Sequence, residues 1–180
     1  MMTNILGISG SLRKESVNTK LVHEAVRLLE PTHFVTADLN LPLYNGDDED
    51  RDGLPDAVIL LADQIEAADG IVLSTPEYNA AIPGALKNAL DWVSRKKPNP
   101  WADKPVALMS AAAGRAGGLR AQTMLRTVMT PFGVRIVPAS EVAIAGAAKE
   151  FDDKGRLTSE RYQASVQRLM DALKKEIART

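Results

Sequence analysis

Asn4-Ile5-Leu6-Gly7-Ile8-Ser9-Gly10-Ser11-Leu12-Arg13-Lys14-Glu15-Ser16-Val17-Asn18 is the stretch on which the reading of this chain turns. Its first half is a short apolar run, the pattern of a strand buried on both faces of a parallel sheet. It then breaks into a loop of small and cationic residues. From about Asn18 the apolar positions Leu21, Val22, Ala25, Leu28 and Leu29 recur at helical spacing. Strand, small polar loop and helix together aim backbone N–H groups and a helix N-terminus at one point, a geometry suited to an anion. Ser9, Ser11 and Ser16 can add hydroxyl donors, and Arg13 can add a charge-assisted fork to a phosphate. The spacing is neither the dinucleotide G-x-G-x-x-G nor the P-loop G-x-x-x-x-G-K-[ST]. A plain strand-to-helix connection with a polar cap would carry the same residues, so the other loops decide.

Outward from this stretch, strand and helix patterns alternate. Pro31 ends the first helix, and His33 to Asp38 reads as a second strand. The run Asp47-Asp48-Glu49-Asp50-Arg51-Asp52 reads as a solvated loop. Pro55 fits the first turn of a second helix striped by Val58, Leu61, Ala62, Ile65 and Ala68. Gly70 to Ser74 is a third strand, and Ile82-Pro83-Gly84 opens a helix with Leu86, Leu90 and Val93 inward. Pro105 to Ser110 is a fourth strand, followed by the small-residue loop Ala111 to Gly118 and a helix bearing Leu125, Val128, Met129 and Phe132. Arg135-Ile136-Val137 is a short fifth strand, and Thr158 to Ile177 a last amphipathic helix with Val166, Leu169, Met170, Leu173 and Ile177 on one side. The pattern predicts an α/β three-layer sandwich of the flavodoxin-like type: a five-stranded parallel sheet, order 2-1-3-4-5, covered by helices on both faces. No linker or repeat divides it, so residues 1–180 are expected to form one domain. The loops after strands 1, 3 and 4 then converge on one crevice at the C-terminal ends of the strands.

Composition narrows the function classes. A net charge of -1 argues against a nucleic-acid surface and against a strongly acidic electron carrier. Without cysteine, disulfides, thiolate metal sites and a cysteine nucleophile are excluded. No apolar run approaches the roughly 20 residues of a membrane span, and no signal-peptide pattern stands at the start, so a cytoplasmic protein with no membrane partner is expected. His23 and His33 have no partner signature and read as structural or surface residues; no metal site and no catalytic acid or base is expected.

The three loops differ in chemistry. The first offers a cage for one phosphate. In the second, Pro76 fixes the backbone, Tyr78 offers a planar face, and the Asn79 amide both donates and accepts. The third, after strand 4, is nearly all Ala and Gly, so a flat group can lie against bare backbone N–H groups. A phosphate at one end and a flat donor–acceptor ring at the other describe FMN.

The residues that carry this reading also resemble a known family, the NAD(P)H-dependent FMN reductases, the flavodoxin-like branch that includes bacterial quinone, chromate and azo-dye reductases. The resemblance runs nearly the whole chain. It rests on Gly10 to Asn18, on Thr75-Pro76-Glu77-Tyr78-Asn79 with Ile82 to Trp92, and on Gly117-Gly118-Leu119-Arg120-Ala121-Gln122. It implies that Ser11 to Asn18, thus Ser11, Leu12, Arg13, Ser16, Val17 and Asn18 with Ser9 beside them, hold the FMN phosphate. It also implies that Pro76, Glu77, Tyr78 and Asn79 meet the ring edge, while Ser110, Ala113 and Gly114 touch the ring from the other side. NADPH or NADH is the implied co-substrate, small molecules such as flavins, quinones, azo compounds or metal oxyanions are the acceptors, and a homodimer or homotetramer is the implied assembly. One departure is Ala80-Ala81, where the family commonly has Gly-Ser before Ile-Pro-Gly. Trp92 could serve a subunit contact or pack within its own domain.

Other functions on the same fold fit less well. An electron-carrying flavodoxin sandwiches its ring between aromatics, and this chain is 4% aromatic. A low-molecular-weight phosphatase needs a cysteine. A receiver domain needs an aspartate ending strand 3, where Ser74-Thr75 stand.

Overall fold

Strand β1 (Asn4–Ser9) is buried from its second residue onward, and every residue of β3 (Gly70–Thr75) and β4 (Pro105–Ala111) is buried. Such runs are stable only in the middle of a parallel sheet, covered on both faces. The computed structural model, which describes residues 3–179, places them there. The order is β2-β1-β3-β4-β5, with β2 (His33–Thr36) at one edge and β5 (Arg135–Ile136) at the other, all parallel. Ser9 lies level with Ser74, and Thr75 with Ser110, so the ends of β1, β3 and β4 open at one height.

Helices α1 (Val17–Leu29) and α6 (Glu160–Ile177) close one face through Leu21, Val22, Ala25, Val166, Leu169 and Leu173. The other face is closed by α3 (Asp56–Ala67), α4 (Gly84–Val93) and α5 (Leu119–Met129), through Leu61, Ile65, Leu86, Leu90 and Leu125. Each contributes an apolar stripe at helical spacing, as the sequence pattern requires. Pro55 stands at the cap position of α3, one place earlier than the first turn.

Two expectations are corrected. The acidic run is a helix, α2 (Gly46–Asp52), although it buries no residue. Asn45 caps it by accepting from the Asp47 N–H at 3.1 Å, and Asp47, Asp48 and Glu49 lie in the first turn, where carboxylates favour the positive end of the helix dipole. Arg95 bonds both Glu49 oxygens at 2.9 Å, which holds the Glu49 carboxyl below its usual range, and the Tyr44 hydroxyl donates to Glu49 at 3.0 Å. The sheet also has a sixth strand, β6 (Val142–Ile144), parallel to the second half of β4, so Met109 faces Val142 and Ala111 faces Ile144. β5 pairs only with the start of β4, at Pro105 and Val106. The edge that the sequence suggests as one strand is therefore two short ones in succession.

Trp92 is buried within its own chain. Its indole N–H donates to the Pro42 carbonyl at 2.7 Å, and Tyr44 meets it edge-on with centroids 4.9 Å apart.

Candidate functional site

The loop from Gly10 to Asn18 is fastened at both ends. At its start the Gly10 N–H donates to the Ser74 carbonyl at 2.8 Å. A side chain at Gly10 would come within 3.2 Å of Pro76 and Pro83, so glycine lets this loop lie against the next. At its end Ser16 caps α1, accepting from the N–H groups of Asn18 and Thr19 at 3.2 and 3.3 Å. One step further out, the Thr19 hydroxyl donates to Ser9 Oγ at 2.9 Å. Asn18 is 1% exposed. Its Oδ1 accepts from Ser74 Oγ at 2.7 Å and from the Ala111 N–H at 3.0 Å, and its Nδ2 donates to the Ala111 carbonyl at 2.9 Å. The loop closes on itself through Ser16 N–H to Arg13 carbonyl and Arg13 N–H to Ser11 Oγ. Among the described residues, the N–H groups of Leu12, Lys14 and Val17 and the Arg13 guanidinium have no partner. These are donors around a helix N-terminus, which is what a phosphate takes. Glu15 is an exposed carboxylate on the same rim, 3.7 Å from Lys20.

The loop after β3 ends in a tight turn. Tyr78 and Ala81 exchange two backbone hydrogen bonds at 3.0 Å, and the residues between them, Asn79 (φ 52°) and Ala80 (φ 62°), are both left-handed. This is the turn for which Asn-Gly is favoured. Alanine at its second position therefore carries backbone strain. Glu77 reaches across to α5, where its carboxylate accepts from the N–H groups of Arg120 and Ala121 at 3.1 and 3.4 Å. Gly118, at the cap position of α5, has no side chain to do this, so Glu77 serves as the cap from another loop.

The loop after β4 presents backbone. Ser110 is fully buried beneath it; its hydroxyl donates to the Gly117 carbonyl at 2.6 Å and accepts from Gln122 Nε2 at 2.8 Å. Gln122 also donates to the Val142 carbonyl, tying β6 to the loop. Gly117 and Gly118 are left-handed, and a Cβ on Gly117 would stand 2.7 Å from the Ala143 backbone. The Ala112 N–H donates to the Ile144 carbonyl and its carbonyl accepts from the Ala147 N–H, which brings the single 3₁₀ turn Ala147–Lys149 against the loop. The N–H groups of Ala113 and Gly114 have no partner among the described residues.

Between the three loops lies a cleft of about 350 Å³. Ser11, Arg13, Ser16, Val17 and Asn18 of the first loop line it, with Pro76, Glu77 and Tyr78 of the second and Ala113 of the third. The remaining sequence-predicted residues lie elsewhere. Ser9 and Leu12 border a second, polar cleft of about 430 Å³ between the β1 and β2 ends, and Ser110 sits beneath the floor. Asn79 and Gly114 are exposed and outside the lining. Glu15, Ala111 and Ala112, which lie within the two loops expected at the site, also line the cleft, and so do Ala147 and Ala148, which no sequence expectation covered. A signal existed for the last pair: Val142-Ala143-Ile144 running into Ala145-Gly146-Ala147-Ala148 repeats, in short form, the strand-then-small-loop pattern of residues 105–114.

This donor set fits FMN. The lining joins unpaired amides and a guanidinium without a partner among the described residues to small side chains over backbone, which offer a flat seat.

The chain matches the family model described as NADPH-dependent FMN reductase over residues 3–149. It is 42% identical, over 94% of its length and 92% of the relative's, to an NAD(P)H-dependent FMN reductase of Pseudomonas aeruginosa. It is 40% identical to a quinone reductase of Escherichia coli over 69% of this chain and 68% of that one. Among solved structures, FerB, a flavoenzyme NAD(P)H:(acceptor) oxidoreductase from Paracoccus denitrificans, superposes with a TM-score of 0.89 at 33% identity, covering 99% of this chain and 98% of FerB.

Proposed function

The chain belongs to the NADPH-dependent FMN reductase family, and from that premise we propose how its crevice serves an oxidoreductase that uses FMN and NAD(P)H. When bound, FMN supplies the redox chemistry, taking two electrons as hydride from the nicotinamide and giving them to a second acceptor such as a quinone or a flavin. The protein's part is to hold and orient.

The segment Ser11 to Asn18 holds the phosphate, with the free Val17 N–H and the Arg13 guanidinium of the cleft lining as donors. Pro76 to Asn79 meet the ring edge through backbone, since the Glu77 carboxylate is already engaged by α5. Ala113 and Gly114 support the ring from behind, with Ser9 and Ser110 bracing the two loops from below. No side chain is assigned as acid or base. The small-residue loop would cover one face of a bound ring, leaving nicotinamide and acceptor to share the other. The single observation that carries this reading is one cleft lined both by a phosphate-type donor set and by a backbone seat of small residues.

The protein works as one domain in the cytoplasm, as a homodimer or homotetramer. Among the described residues no helix is long and apolar enough to cross a membrane. Leu12 (55% exposed) and Tyr78 (47%) leave apolar surface in the loops that form the crevice, which a second subunit could cover by packing there.

Stopped-flow mixing of the FMN-loaded protein with NADPH or NADH without oxygen tests the assignment: either nucleotide alone bleaches the flavin band, and steady-state rates with a quinone give parallel double-reciprocal lines. Protein that neither carries FMN nor quenches its fluorescence overturns the reading; intersecting lines with a ternary complex overturn the shared face.

A further inference from the structure

Ser74 lies at the end of β3, has no exposed surface, and holds the loop from Gly10 to Asn18 at both ends. Its carbonyl accepts from the Gly10 N–H, and its hydroxyl donates to Asn18 Oδ1. Asn18 in turn makes a two-point contact with Ala111, the last residue of β4, from which the small-residue loop departs. One residue pair therefore ties the loop with the phosphate-type donors to the strand end that launches the opposite wall of the cleft. The Asn18 side chain spends its carbonyl oxygen on two internal donors and one amide hydrogen on an internal acceptor.

Resting on the reading of the crevice as an FMN site, we infer that Asn18 and Ser74 are positioning residues that fix the separation between the phosphate loop and the ring seat, and so set the preference for FMN over riboflavin. A ligand anchored at two ends gains from the second anchor only when the span between the anchors matches its own length. Holding that span to a fraction of an ångström takes locked, hydrogen-bonded support beneath it. Riboflavin, which has the ring but no phosphate, reads one end alone and is insensitive to the span.

The pair is tested by measuring dissociation constants for FMN and for riboflavin, by flavin fluorescence quenching, on the full chain and on Asn18→Ala, Ser74→Ala and the double variant. The ratio of the two constants is the readout, with melting in the absence of flavin recorded alongside. Misplacement of this kind lowers FMN affinity by about tenfold or more in Asn18→Ala and about threefold in Ser74→Ala, with riboflavin affinity nearly constant. The double variant matches Asn18→Ala, because both substitutions break the same link. A residue that only supports the fold would lower the melting temperature and leave the ratio untouched; that result in the folded variants overturns the inference. A ratio lost in Asn18→Ala and kept in Ser74→Ala also overturns it, since it would place the Asn18 amide on the phosphate itself. Should Asn18→Ala not fold, the Ser74→Ala ratio decides alone. An unsubstituted chain that binds neither flavin removes the FMN reading instead, a different failure from an FMN-binding chain whose ratio the variants leave alone.

Discussion

Loop 10–18 and the loops after β3 and β4, which together line the crevice, take their shapes in different ways. At the phosphate end, loop 10–18 has no left-handed residue and is held by side chains: Ser9 with Thr19, Ser16 on its helix, Asn18 with Ser74. At the proposed ring end side-chain bonds from Glu77, Ser110 and Gln122 fasten the loops, but the shape of their turns comes from left-handed backbone at Asn79, Ala80, Gly117 and Gly118. A charged, compact group is recognised by donors that must be aimed, and relaxed backbone with hydrogen-bonded side chains aims them. A flat ring is recognised by the absence of obstruction, and that requires glycine, alanine and turns that other residues adopt only with strain.

The comparison makes the ring end the more fragile in stability and the phosphate end the more fragile in ligand choice. The largest effect is expected at Gly117. Its φ of 58° and the Ala143 backbone 2.7 Å from a would-be Cβ leave alanine no accommodation. Gly117→Ala should destabilise by about 2–5 kcal/mol, from left-handed strain plus backbone displacement, read as a fall in melting temperature. A near-neutral result would show that the loop after β4 is free to move, contrary to its shape being set by backbone packing.

Arg13→Ala comes next and should leave stability almost unchanged, because the guanidinium has no partner among the described residues. Losing one charge-assisted bond of about 1.5–3 kcal/mol should weaken FMN about 10- to 150-fold while riboflavin is hardly affected. Equal losses for both flavins would erase the division of labour between the two ends.

The smallest change is a gain. Ala80 occupies the turn position that glycine adopts without penalty, so Ala80→Gly should stabilise the chain by about 1 kcal/mol, with the turn retained. Thermal melting checks it. A loss would mean that the Ala80 methyl packs usefully against something, and that the strain is part of how the ring edge is held.

Much of the fold was legible because its central elements obey periodic rules. β1, β3 and β4 are apolar runs bounded by turn residues, and the helices carry stripes, so the strand order and the convergence of three loops followed. α2 was not legible, because a helix with no buried residue has no stripe to read; its cap, its dipole and Arg95, 46 residues away in sequence, hold it. β6 was only faintly legible: its three residues run into a small-residue loop as β4 does, but what makes them a strand is their pairing with the second half of β4. With β6 went Ala147 and Ala148, the part of the cleft lining that follows it.

By itself, the sequence determined the class of fold, the phosphate-type loop and the small-residue loop, since each follows from residue types at short spacing. Tertiary structure alone decided what the polar side chains in those loops do. The family resemblance implies Asn18, Glu77 and Ser110 as FMN contacts, but an amide, a carboxylate and a hydroxyl offer the same donors and acceptors to a neighbouring loop, and residue type does not show which partner they take. Only the packed fold brings Ser74 and Ala111 to Asn18, the start of α5 to Glu77, and Gly117 with Gln122 to Ser110. A buried polar group takes the partner that folding places beside it, since leaving it unpaired costs more than the bond returns.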